Sequence, residues 1–252
     1  MNKIGMKNLI DIPIEDILRE GVYAFSGNND GIEKYPIYDY FMQSLFLKCT
    51  GFQEQKLKSI RWEMASYDLE YREMSYLRNN VNECSNYRDK KIVFNELLNE
   101  IHKFYNTFEP KVELNIAQEL YELAKDSVKT IFSNSILQNF DERTFLDYLT
   151  NNEKVSSWIP FNSLSKNKYG IYKDKDFLSD EIIKRYNLLY CHRNRCAHNL
   201  FTYKQNLPKN FFISCIDKYD NYFYFFELLI FVDKLFMKLY KKFLDSVTKN
   251  NW

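Results

Sequence analysis

Six glycines and five prolines in 252 residues leave this chain few ways to turn sharply. Hairpins and tight turns draw on glycine for positive φ and on proline for a preset φ, so a many-stranded sandwich or barrel is a poor fit and long helices a good one. The apolar spacing agrees. From Phe52 to Asn79 there is no glycine or proline, and Leu57, Ile60, Met64, Tyr67, Tyr71, Met74 and Leu77 recur at three- and four-residue steps, the period of an amphipathic helix. Pro13 followed by Ile14, Ile17 and Leu18 predicts a short helix that ends near the Ser26–Gly31 loop. Pro36 opens a helical segment through Tyr40, Phe41, Leu45, Phe46 and Leu47, which Gly51 is expected to punctuate. Helices are expected at about 89–108 and at about 112–133, the latter carrying Leu114, Ile116, Ala117, Leu120, Leu123 and Val128. Asp141 should cap a short helix with Phe145, Leu146 and Leu149 on one side. Ser156–Phe177, with Pro160 and Gly170, reads as a loop. Ser179 or Asp180 should then start a helix to about 200, with Ile182, Ile183, Tyr186, Leu189 and Tyr190 as its apolar positions. Pro208 opens a last helical region, expected to break near Asp220–Asn221 and to reach Ser246. The reading is all-α, a single domain over 1–252 with an N-terminal helical part of about 1–135 and a second part of about 140–252.

Composition narrows the function classes. At 45% hydrophobic the chain can bury a sizeable core. Its 21 Phe and 20 Tyr match the codon bias of an AT-rich genome, so aromatic content alone carries no functional argument. The balance of 35 basic against 34 acidic residues argues against a protein that coats nucleic acid non-specifically, and any RNA contact should be confined to one groove. Five cysteines without a Cys-x-x-Cys pair and three histidines without ligand spacing predict neither a metal site nor a cofactor. The same usage, with no signal-like N-terminus, points to a reducing cytoplasm in which the cysteines act as small buried hydrophobes; for Cys191 and Cys196 packing is favoured over redox control. His102 reads as structural. The most apolar stretch, Tyr222–Met237, is interrupted by Glu227, Asp233 and Lys234, so it is expected as a buried core or subunit-interface helix and not as a membrane span. Its opening aromatic run, Tyr222–Phe226, points all round a helix, which suits packing better than base stacking.

The candidate chemistry sits at Arg193-Asn194-Arg195-Cys196-Ala197-His198. Cleaving RNA without a metal requires activation of a ribose 2′-hydroxyl, stabilisation of the phosphorane charge and protonation of the leaving 5′-oxygen. A histidine can act as base or acid, and an arginine can donate two hydrogen bonds to phosphate oxygens while staying cationic. Asn194 could orient either group, Arg195 could grip a neighbouring phosphate, and His192 could reach the same cleft. Spacing alone is weak: Arg185 and His192 satisfy a looser version of the pattern. A five-residue step also turns a helix through about 140°, so the pair is not strictly on one face; Arg193 is long enough to swing back, yet a complete site is expected to need groups from a second copy of the helix. In the polar segment Gln53–Glu63, Lys58 and Arg61 lie three apart and could line an RNA groove; the interleaved glutamates make a solvated, ion-paired face the safer reading.

The wider wording Leu188-Leu189-Tyr190-Cys191-His192-Arg193-Asn194-Arg195-Cys196-Ala197-His198-Asn199 resembles the Arg-Asn-x-x-x-His signature of HEPN ribonucleases. Arg-Asn-Arg-Cys-Ala-His in particular is similar to the bacterial Abi-like (AbiD/AbiF-type) abortive-infection branch. The resemblance covers about a dozen residues closely and the C-terminal third more loosely. It implies a HEPN-type helical bundle with additional N-terminal helices, and a homodimer that brings two Arg/His sets together. It further implies metal-independent endoribonuclease activity in phage defence or as a toxin-like effector, leaving a 2′,3′-cyclic phosphate and a 5′-hydroxyl. Arg193, His198 and Asn194 would then be catalytic, Arg195, His192, Lys58 and Arg61 would bind RNA, and an inhibitory or guide RNA or an antitoxin would be a further partner. A non-catalytic RNA-binding or dimerisation module of a defence system is the alternative. The chain departs from the branch in reading His198-Asn199 where His-His is common. Leu200 stands where partner-modified toxins carry a tyrosine, which argues against control by tyrosine nucleotidylation.

Overall fold

The computed structural model describes residues 9–26, 35–77, 83–110, 117–133, 135, 137, 141–150, 165–198 and 219–250. The described residues form helices and connections, with no strand among them. In chain order the helices are α1 (Ile14–Ser26), α2 (Tyr35–Tyr67), a short α3 (Leu69–Tyr71) continued by a π-helical turn (Arg72–Leu77), α4 (Tyr87–Phe104), α5 (Ala117–Ser133), α6 (Glu142–Thr150), α7 (Asp180–His198) and α8 (Tyr222–Asn250). The loop after Ser26, Leu114 and Ile116, Pro160, Pro208 and Cys215 lie outside the described residues.

The core is organised around α8. From Tyr222 to Leu235 nearly every residue is buried, whichever way it points, because α1, α2, α4, α5, α6 and α7 all pack against this helix. Asn221 starts it by accepting from the backbone N–H groups of Phe223 (3.0 Å) and Tyr224 (3.2 Å), so the break expected near Asp220–Asn221 is a helix N-cap. The aromatic run is core: Phe223 meets Phe132 of α5 edge-on at 5.0 Å and Phe145 of α6 at 4.9 Å. Leu146, expected on the same apolar side as Phe145, is half exposed, and Tyr148 takes the inward position.

Around α8 the partners show ordinary amphipathic spacing. Ile14, Ile17, Leu18 and Val22 form the buried stripe of α1. At Gly21 an added Cβ would come within 2.5 Å of Leu45, so this glycine permits the close approach of α1 to α2. Helix α2 runs unbroken through Gly51 for 33 residues, about 50 Å. The expected punctuation is absent because buried residues on both sides, Leu45, Phe46 and Cys49 before it and Leu57, Ile60 and Met64 after it, hold one continuous helix to the core. It ends at Asp68, whose carboxylate caps α3 by accepting from Glu70 and Tyr71 N–H.

Two asparagines of α4 clamp the extended segment that leads into α7. Asn95 bonds the N–H (3.0 Å) and C=O (2.9 Å) of Lys175, and Asn99 does the same for Tyr172 at 2.7 and 2.8 Å. Phe177 then inserts between Tyr87, Phe94 and Phe236. Together they set where α7 begins. Ser179 stands at its cap position, with its carbonyl accepting from Ile183 N–H.

The Gln53–Glu63 segment departs most from expectation. Lys56 is 1% exposed and its amine donates to Asp233 of α8, itself 2% exposed, at 2.6 Å. The same amine donates to the Ile12 carbonyl at 2.6 Å, while the second Asp233 oxygen accepts the Ile14 N–H at 3.0 Å. Gln53 donates to the Leu229 carbonyl. A face expected to be solvated is instead ion-paired inside the protein.

Two stability outcomes are expected. Asp233→Ala strands the Lys56 ammonium and should lower stability by about 3–5 kcal/mol in urea unfolding, with Lys56→Met and Asp233→Leu combined recovering much of that loss. Gly51→Ala meets nothing within 4 Å and should raise stability by about 0.5–1 kcal/mol, read as a shift of the urea midpoint at constant slope.

Candidate nucleic-acid cleavage site on α7

The rotation of α7 about its axis is set by what it buries. Ile182, Tyr186, Leu189 and His192 follow one another at four- and three-residue steps and all face the core. His192 is fully buried, packed against Phe46 of α2 (5.2 Å) and Phe225 of α8 (5.5 Å). Arg195 donates to its Nδ1 at 3.3 Å, which places the ring proton on Nε2, 3.2 Å from the Tyr222 hydroxyl. Burial, with the Arg195 charge adding to it, pushes its pKa down to about 3. His192 is therefore a neutral core residue, and its expected contact with RNA is corrected.

With His192 inward, Arg193 turns toward α2. Its Nη2 lies 3.2 and 3.3 Å from the two carboxylate oxygens of Glu54, and its Nη1 donates to the Asn194 side chain at 3.1 Å. The side chain remains 19% exposed. Glu54 sits among cations: Arg193, Lys58 one turn along α2, and Lys90 of α4 all pull its pKa down, against a larger upward push from burial. Lys90 is fully buried, donates to the Cys84 carbonyl at 2.7 Å and lies over the Tyr186 ring; burial brings its pKa down to about 8. Cys84 presents that carbonyl from a left-handed conformation, φ 59°.

The residues singled out in the sequence thus divide. Arg193, Asn194 and, through Glu54, Lys58 share one neighbourhood. His198 closes the last turn of α7. Arg195 is half-buried and directed at His192. Arg61 is 3% exposed, with its Nε and Nη2 on the two oxygens of Glu96 at 2.9 and 3.1 Å, so the expectation that it binds RNA is corrected: it joins α2 to α4. Cys49 and Cys84 are buried as expected and Cys196 half-buried, but Cys191 is exposed. His102 is partly exposed beside Lys166, 2.8 Å from its amine. Glu54 and Lys90 were not singled out. The spacing of Glu54 to Lys58 was visible, but the partner of Glu54 lies 139 residues away.

Chemically, the arrangement offers a pre-positioned guanidinium at the end of a helix, flanked by a second cation. Among the described residues no group of three His, Cys, Asp or Glu is arranged to hold a metal ion, and no helix is long and apolar enough to cross a membrane. No family model matches the chain, and no curated protein or solved structure matches it.

The neutral burial of His192 gives a pH signature. Its folded pKa lies below the ordinary 6.5, so the unfolded chain takes up the extra proton; this contribution to stability is complete above about pH 6.5 and is lost as pH falls toward 3. Between those limits, unfolding free energy of the wild type should fall more steeply with acid than that of His192→Phe, by close to one proton near pH 5. Parallel curves would contradict the assignment.

Proposed function

We propose that this chain is a metal-independent endoribonuclease of HEPN type, acting in phage defence or as a toxin-like effector, with its site completed by a second copy of α7. The observation that supports this most is the position of Arg193. Glu54 and Asn194 hold its guanidinium by two of its nitrogens at the end of the helix that also carries His198. That is the part of the reaction that needs a fixed cation, since charge develops on the non-bridging phosphate oxygens.

In this reading His198 takes the proton from a ribose 2′-hydroxyl, and the 2′-oxygen attacks the adjacent phosphorus. The P–O5′ bond breaks, and the leaving oxygen takes a proton from the second His198 of the dimer or from water. Arg193 carries the phosphorane charge, and Asn194 orients it. The products are a 2′,3′-cyclic phosphate and a 5′-hydroxyl. A five-residue step turns a helix through about 140°, so Arg193 and His198 are not strictly on one face, and in this proposal a second copy of α7 completes the site. Uncontrolled cleavage would harm the host, so an inhibitory RNA or an antitoxin in the cytoplasm is part of the proposal.

Labelled single-stranded RNA incubated in EDTA with the purified protein should be cut to fragments ending in cyclic phosphate. Arg193→Ala should lower kcat by about 10²–10³ and His198→Ala by about 10²–10⁴. Cleavage that requires added metal, or that survives His198→Ala, would refute the mechanism. Binding without cleavage would favour the non-catalytic module.

A further inference from the structure

The Glu54 face of α2 does not stop at the arginine. Glu54, Lys58 and Trp62 stand at successive four-residue steps, each advancing about 6 Å along the axis and turning about 40° around it. The stripe therefore climbs outward: Glu54 is buried, Lys58 half-buried, and Trp62 54% exposed. Since Glu54 touches Arg193, the lower end of the stripe is anchored at the candidate site.

We propose that this stripe is a track for the single-stranded RNA substrate, in which Lys58 holds the phosphate next to the one on Arg193 and Trp62 stacks the following base. The proposal rests on the ribonuclease reading above and adds where the strand leaves the site. Arg193 is held at Glu54, and from there Lys58 and the exposed Trp62 indole follow at steps of about 6 Å along α2, comparable to the nucleotide step of an extended strand. An aromatic face accepts any base, and a lysine point charge suits a phosphate. Cations gather at the lower end of the stripe: Arg193 contacts Glu54, and Lys58 and Lys90 act on the same carboxylate. The residues beside the three positions also favour RNA over a protein helix. Gln55 and Ser59 share the outward side of α2 with Lys58 and Trp62, so between Glu54 and Trp62 that side is polar.

The test uses the full chain and a fluorescent RNA strand with 2′-O-methyl riboses, which binds but cannot be cut. Trp62→Ala should weaken binding roughly tenfold. Trp62→Phe should keep most of the affinity while the RNA-induced quenching of tryptophan emission disappears. Lys58→Ala should reduce the log–log salt slope by about 0.7, the value of one phosphate on a single strand. Tyr23→Ala, which removes a still more exposed aromatic from α1, should match the wild type. If the wild type binds RNA and cuts a cleavable strand in EDTA while Trp62→Ala and Lys58→Ala bind as it does, the track is wrong and the ribonuclease reading stands. If the wild type neither binds nor cuts single-stranded RNA, both fall together.

Discussion

The Lys56–Asp233 pair is the joint on which the packing of this protein turns. Two charges with almost no exposure meet at 2.6 Å in the middle of the core, a costly arrangement unless every remaining donor and acceptor is used. Here they are used well. The ammonium also serves the Ile12 carbonyl, and the carboxylate also receives the first N–H of α1. That N–H is one of the orphan donors at a helix start, and an acid facing it is favoured by the helix dipole. One ion pair thus fixes the register of α2 on α8 and docks the N-terminus of α1 against both. Hydrophobic burial supplies most of the driving force, but it is non-directional and tolerates sliding. A buried pair does not.

The same division of labour recurs at α7. The buried stripe of Ile182, Tyr186, Leu189 and His192 sets the rotation of the helix, and the polar member fixes its hydrogen bonding. His192 takes a position that Phe could fill, yet its two ring nitrogens are oriented by Arg195 on one side and Tyr222 on the other. That rotation presents Arg193 to Glu54. The string Cys-His-Arg-Asn-Arg-Cys-Ala-His therefore mixes two kinds of residue, one used for packing and the other for the site. The resemblance that draws attention to it does not separate them. Burial does.

Much of the fold was legible because helices are local. Residues spaced at three and four positions, Pro13 before α1, Asn221 before α8 and the loop ahead of Asp180 all depend on neighbours along the chain. What was misread depended on distant partners. Gly51 is a helix breaker by propensity alone, and packing on either side of it overrides that cost. Lys56 and Arg61 belong to a run that reads as solvated, because the acids that draw them inside, Asp233 and Glu96, lie on other helices. The candidate site followed the same rule: Arg193, Asn194 and His198 were found by wording, whereas Glu54 and Lys90 became visible only when α2 and α4 were brought against α7.

The scarcity of glycine and proline, together with the apolar period, determined by themselves that this chain would be built from helices, because both act over a few residues. The segment with an arginine and a histidine suited to phosphate chemistry was marked instead by its wording, Arg193-Asn194-Arg195-Cys196-Ala197-His198. Tertiary structure decided which of the polar and aromatic groups remain at the surface. Lys56, Arg61 and the neutral His192 went into the core, and Arg193, Lys58 and Trp62 stayed within reach of solvent. The reason is physical. Burying Lys56 and Arg61 is tolerable because Asp233 and Glu96 await them, and those partners are placed by the packing of whole helices.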